Sequence, residues 1–455
     1  MTNKKRFATV FVLFAVLLAL TVNVWASGQK EGAAAAAASG QVTVRYMLWD
    51  PNQLPAYQKV AENFMAKNPG IKIEISQLGW NDYWNDIQTS MVAGSTADVF
   101  TNHLAKYPEF AAKGQLLDIE PMVTADNVDT SVYLTGLADL WTRDGKRFGL
   151  PKDWDTIAVV YNKDIMKEAG ISQSDIDNMT WNPVDGGTFY RILAAIAKDK
   201  NGNSGLSPNF DPTNVERWGT AMDYINMGAY GQQMWSSFAV STGWNFTDGM
   251  YAKKYHYDDP RFAATIQSFA DLTKKGLMTP FEAMSNNNTG AMFTSGKIGM
   301  VLDGSWMIGF YANNTNFPVG FARLPKGPVG RKSMFNGLAD SIYVGTKHPK
   351  EAWLWVKYLG SAEAQDVVGS YGAVFPAIAS GVEAAKKAYR ERGFDVSAFT
   401  EQALEKDGTF LFPITDHASQ VTSIMQQTLD SIFLGQTQAA PALKSANERI
   451  NALFK

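Results

Sequence analysis

The chain has 455 residues, a formal net charge of −3 and no cysteine. The slightly acidic balance excludes a nucleic-acid binder that works by neutralising phosphates, and the lack of cysteine excludes disulfides, thiolate metal sites and a Cys nucleophile. With 45% hydrophobic residues there is material for about three average domains or two large ones, and 13 Trp with 17 Tyr point to surfaces that stack on ligands.

In chain order, Lys4, Lys5 and Arg6 precede an apolar run at 7–24, and Val24-Trp25-Ala26 ends in a small residue. This is the pattern of a signal peptide, 1–26, with cleavage expected after Ala26. An uncleaved anchor is the alternative, because the run is nearly long enough to span a bilayer. Cleavage removes three cations and takes the charge from −3 to −6. Without a cysteine the protein is not a lipid-anchored lipoprotein. Residues 27–40, SGQKEGAAAAAASG, can bury nothing and read as a tether.

From Gln41 the pattern becomes regular. A strand is expected at 42–48, a helix at 56–67 stopped by Asn68-Pro69-Gly70, a strand at 71–75, a helix at 80–93, a strand at 97–101 and a helix at 104–113. This tempo predicts βαβ units and a mainly parallel sheet, with ligands bound beyond the carboxyl ends of its strands. Those ends carry Trp49, Asp50 and Asn52, then Trp80, Asn81 and Asp82, then Asn102 and His103.

The stretch LPKDWDTIAVVYNKD, 150–164, places a buried strand at 156–161 and a helix start at 162–164, where Asn and Asp cap well. Trp154 and Asp155 stand at the mouth of that strand. The plain alternative is an entry loop with a half-buried Trp and acids that cap amides. Helices follow at 191–198, 221–226 and 261–275, then a strand at 298–302 leading to Trp306, a strand at 342–345 and a helix at 351–359. A break is expected at 375–376 and a loop at 410–413, and there is no internal repeat.

Catalytic chemistry finds little support. There is no H-E-x-x-H, and His103, His256, His348 and His417 are scattered. Residues 290–297 have five residues between the glycines where a phosphate loop has four, so Gly296 reads as a helix C-cap. Asp153 and Asp155 are too close in sequence for a glycosidase pair, which usually comes from different strands. No enzyme activity, metal or cofactor is expected.

Seven segments in order carry a family resemblance: GWNDYWNDIQTSMVAGSTADVF (79–100), NHLAKYPEFAAKGQLLDI (102–119), FGLPKDWDTIAVVYNKD (148–164), AMFTSGKIGMVLDGSW (291–306), FNGLADSI (335–342), HPKEAWLWVKYL (348–359) and YGAVFPAI (371–378). The chain from Gln41 onward resembles the extracellular (periplasmic) solute-binding proteins of ABC sugar transporters, family 1, which includes maltose-binding protein. The resemblance implies an α/β fold of the type II periplasmic-binding-protein-like kind: two lobes, a ligand cleft between them, and hinge strands crossing. It divides the chain into lobe 1 (41–154 plus 336–364) and lobe 2 (155–335 plus 365–455), with crossings near 154–156, 331–337 and 359–369. It further implies an exported, periplasmic monomer that captures a sugar or oligosaccharide and delivers it to ABC permease subunits.

Carried over by residue, the implied contacts are Asp50 and Asn52 after the first strand, Asn102 and His103 after the third, Asp155 at the hinge, and Trp306 in Gly304-Ser305-Trp306. Trp49, Trp80 and Trp154 supply further faces for a sugar ring, and carboxylates such as Asp50 and Asp155 suit vicinal hydroxyls. Asn102 and Asn336 near the acids favour a neutral polyol. Two departures, an Asp where the family has Glu at the hinge and the presence of His103, point away from maltose to a smaller or differently substituted sugar. The open alternatives are a polyamine binder, which needs a negative cleft, and a secreted glycoside hydrolase. Trp353 and Trp355, within a helix, are assigned to core or lobe surface.

Overall fold

The early strand–helix tempo builds a sheet in the computed structural model, which describes residues 40–222, 229–284 and 287–455. The expected signal peptide, all of the tether but residue 40, and most of the helix expected at 221–226 lie outside the described residues. In chain order the strands are β1 (Val42–Leu48), β2 (Ile71–Gln77), β3 (Val99–His103), the short pair β4 (Thr142–Arg143) and β5 (Lys146–Arg147), β6 (Leu150–Asp155) and β7 (Ile157–Asn162). There follow the pair β8 (Lys198–Asp199) and β9 (Val215–Arg217), then β10 (Met300–Gly304), β11 (Val319–Ala322), β12 (Ser333–Ile342), β13 (Phe375–Pro376) and β14 (Thr409–Leu411).

One sheet has the order β13-β6-β12-β3-β1-β2, with β14 paired to β12; a second has the order β10-β7-β11. β1 is parallel to β2 and β3, but β12 is antiparallel to β3 and β6, and the second sheet is wholly antiparallel. The mainly parallel sheet expected from the sequence is therefore mixed, because β12 arrives from the second sheet and enters the first from its far end. The segment 150–155, expected as a strand mouth, is itself a fully buried strand.

Each sheet has its own hydrophobic core. The first includes Tyr46, Phe64, Trp141 and Trp355; the second includes Trp181, Trp235, Trp244 and Phe262. The chain passes between them at Thr156, between Met334 and Ala339 within β12, and between Phe399 and Phe412. The first two changes of core lie near the expected crossings at 154–156 and 331–337. The third does not: the helix Ala362–Ser370 packs in the first core beside the helix Ala379–Glu391. Gly369 permits that approach, since a Cβ there would lie 2.2 Å from the Gly381 carbonyl oxygen. Buried side chains from Ala364 to Phe399 thus join the first core, although the sequence division placed 365–455 with the second lobe. Among the described residues no helix is long and apolar enough to cross a membrane.

Candidate ligand-binding cleft

Strand alternation decides which of the expected residues can meet. β3 ends in His103, β6 ends in Asp155, and β12 lies between them, with Asn336 opposite Asp155 and Leu338 opposite His103. Side chains two apart share a sheet face, so Thr101 and His103, Asp153 and Asp155, and Asn336 and Asp340 form one row of polar groups. At its cleft end Asn336 Nδ2 lies 2.9 Å from His103 Nε2 and 3.3 Å from Asp155 Oδ2. Gln232, from the second core's side, donates to Asp155 Oδ1 at 3.1 Å. All four side chains are buried.

Deeper along the same face, which Lys152 reaches because the register shifts opposite Leu338 and Ala339, Lys152 sits 4.0 Å from the centre of the Tyr57 ring and donates to Thr101. Tyr46 and Thr101 donate to Asp340 Oδ1 at 2.9 and 3.0 Å. Burial pushes Asp153 up to about 7, with Lys152 opposing the rise and Asp340 and Asp50 adding to it. Burial, then the Asp153 charge, raises Asp155 well above the ordinary carboxylate range, while Asn336 and Gln232 oppose. His103 is held down to about 3 by burial and by the Lys106 cation, so its imidazole is neutral.

Aromatic rings close round this end of the row. Trp49 meets Trp80 edge-on at 5.1 Å, and Trp80 meets His103 edge-on at 5.6 Å. Trp49 and Trp80 remain half-buried. From the second core Phe412 packs edge-on against His103 at 5.0 Å and 4.7 Å from Tyr230. Trp306 packs against both cores and folds back over Gly304, where a Cβ would lie 1.9 Å from its ring.

Four expected residues stand apart from this constellation. Trp154 points to the opposite face from Asp155, stacked 5.0 Å from Phe375 and 5.9 Å from Phe335, and lines a separate cavity of about 640 Å³ with Tyr133, Val382 and Leu404. Asn102 likewise faces away from His103 and donates to Ser341 Oγ. Asp50 accepts from the Asn52 backbone and the Gln53 side chain, which fixes the turn before the helix Leu54–Lys67. Asn52 is exposed on that turn. Gln232 and Phe412 were missed because neither loop carries a periodic signal that places it against β3 or β6.

The two sides also touch at the rim. Arg143 makes a two-pronged ion pair with Asp416 at 2.7 and 3.0 Å and covers the Tyr251 ring at 4.5 Å. Tyr107 and Tyr251 share a short hydroxyl–hydroxyl contact. Glu109 accepts from the Ser419 hydroxyl at 2.6 Å.

The family model described as bacterial extracellular solute-binding protein matches residues 50–366. The chain belongs to that family. Its members are extracytoplasmic substrate-binding proteins that work with ABC permeases, and the family is not one of enzymes. The maltodextrin-binding protein of Bacillus subtilis is 24% identical over 58% of this chain and 57% of its own length. An ABC substrate-binding protein from Listeria monocytogenes, in complex with cycloalternan, superposes with a TM-score of 0.78 at 17% identity, covering 91% of this chain and 99% of that one. A solute-binding protein from Thermotoga lettingae, bound with α-D-tagatose, gives 0.75 at 21% identity, covering 92% and 100%. The fold of this solute-binding protein is the type II periplasmic-binding kind.

Proposed function

We propose that this solute-binding protein captures a sugar or oligosaccharide between its two lobes by hinge closure and delivers it to the membrane permease of an ABC importer. The observation that carries the reading is the buried set His103, Asn336, Asp155 and Gln232, drawn from both sides of the hinge and flanked by Trp49 and Trp80. Hydroxyls need in-plane hydrogen-bond partners and the ring needs an aromatic face; this set offers both. Lobe 1 supplies His103, Asn336 and Asp155 and lobe 2 supplies Gln232, so the set is complete only when the lobes meet and ligand favours the closed form by its differential affinity. Relatives named for sugars support the class of ligand. In this reading lobe 1 is 41–155 with 336–399, and lobe 2 is 156–335 with 400–455.

The test is a thermal-shift screen of the purified protein against sugars, polyols and polyamines. A ligand present at about 100 times its dissociation constant adds roughly 2.7 kcal/mol, a shift of several degrees. Stabilisation by one class of sugar, recovered unaltered, is the expected result. Stabilisation by polyamines alone refutes the sugar reading, and chemical conversion of the hit refutes the binding-only reading.

The rim contacts add a second expectation. Arg143→Ala removes the ion pair across the cleft without touching the ligand set. Because the pair is partly exposed, its contribution after screening is on the order of 1 kcal/mol, or about fivefold in affinity. Calorimetry at low and high salt checks this: the wild type loses affinity as salt rises, and the variant loses less.

A further inference from the structure

The hydrogen-bond donors and acceptors at the hinge favour one proton arrangement. The Ala105 backbone N–H donates to His103 Nδ1 at 3.1 Å, so Nδ1 is bare. A neutral imidazole then carries its proton on Nε2, and that N–H faces the Asn336 amide at 2.9 Å. It needs an acceptor there. With Asn336 Nδ2 in that place two donors oppose each other, while Asn336 Oδ1 is buried with no partner among the described residues. Turning the amide by 180° removes the conflict, since its nitrogen and oxygen exchange places with no change of shape. Turning the imidazole does not, because it would break both of that ring's bonds.

The turned amide has a consequence for Asp155. Its Oδ2, 3.3 Å away, now faces the Asn336 oxygen; an ionised carboxylate would repel it, whereas a proton on Oδ2 converts the contact into a hydrogen bond as the two oxygens draw together. Asp155 Oδ1 accepts from Gln232, so the proton belongs on Oδ2. We propose that Asp155 is a neutral carboxylic acid that donates to the turned Asn336 amide, leaving the Asn336 N–H₂ as the donor that selects an uncharged, oxygen-bearing ligand over a cationic amine. The proposal rests on the sugar-capture reading above and deepens it.

Three features of the surroundings support a neutral Asp155. Asp153 lies two residues away on the same face of β6, and two buried carboxylates so placed resist ionising together. Burial and that neighbour both raise Asp155. The charges nearest to Asp153 are Lys152, Asp340 and Asp50, one cation against two further acids, so no cation is left over for Asp155. His103, facing from β3, is uncharged. A cationic ligand would meet a neutral acid and an N–H₂ group, with no ionised carboxylate among the four side chains His103, Asn336, Asp155 and Gln232. A sugar oxygen meets a buried donor that lacks an acceptor.

Nitrogen and carbon NMR of the ligand-free protein tests the arrangement directly. The His103 resonances, identified by their loss in His103→Gln, are expected to show a protonated Nε2 and a bare Nδ1. The Asp155 carboxyl carbon, identified by its loss in Asp155→Asn, is expected in the protonated range at pH 7. A proton on Nδ1, an imidazolium, or an ionised Asp155 at pH 7 overturns the proposal. With the sugar found by the screen, wild-type affinity falls about tenfold per pH unit above the pH at which the Asp155 resonance titrates, whereas the affinity of Asp155→Asn stays level with pH. Spermidine binding as tightly as that sugar overturns the selectivity. If no sugar binds at all, the capture reading fails, and the proton arrangement is decided by the resonances alone.

Discussion

Truncating Trp355 to alanine lowers the melting temperature by on the order of 10 °C. Trp355 lies in the helix Pro349–Leu359, is fully buried, and touches the rings of Tyr46 at 5.6 Å and Phe64 at 5.1 Å. It therefore ties together β1, the helix Leu54–Lys67 and the helix that bears it. Removing a buried Trp costs about 3–5 kcal/mol, part in lost transfer energy and part in the cavity left behind. Each kcal/mol moves the midpoint of a domain of this size by roughly 2–4 °C. The Trp355 indole N–H has no partner among the described residues, so no hydrogen bond offsets or adds to that cost. Tyr46 also donates to Asp340, which carries the damage into the polar row beneath the cleft. Circular dichroism melts of the variant and the wild type provide the comparison; a change under 2 °C would show that the first core does not depend on this ring.

The parts of the fold that were legible in the sequence are those where one local signal suffices. The helix Trp80–Ala93 forms over the expected residues, since Tyr83, Ile87 and Met91 give it a buried face and Gly94, at φ +72°, ends it. Asn162 caps its helix as expected by accepting from the Asp164 and Ile165 amides. At 150–155 local signals misled. Pro151, Lys152, Asp153 and Asp155 look like a loop, and only pairing with β12 and β13 turns them into a buried strand.

That error propagated to the site. Once 150–155 is a strand, alternation forces Trp154 and Asp155 to opposite faces, so they cannot serve one ligand. The same rule separates Asn102 from His103. Trp49, Trp80, His103, Asp155 and Asn336, which strand ends and family motifs mark in the sequence, lie close together in the fold. Gln232 and Phe412 come from irregular loops whose positions depend on the whole second core, and no local pattern encodes that.

Asp155→Ala lowers ligand affinity about 100-fold while leaving the fold intact. The carboxyl accepts from Gln232 at 3.1 Å and adjoins Asn336 at 3.3 Å, so its loss strands two buried amides and one contact to the ligand. Leaving a buried polar group unpaired costs about 1–3 kcal/mol, and roughly 2.7 kcal/mol corresponds to the 100-fold loss. The Asp155 contact to Asn336 lies within one sheet, whereas the bond from Gln232 crosses between the lobes, so that part of the penalty falls on the closed form. Stability behaves otherwise. A carboxyl whose ionisation is disfavoured by burial gives up solvation on folding, and removing it relieves that cost while leaving only a small void. The melting temperature is therefore expected to stay within about 3 °C of the wild type. Calorimetric titration with the sugar found by the screen decides the matter: binding by the variant as tight as the parent's removes Asp155 from the ligand set.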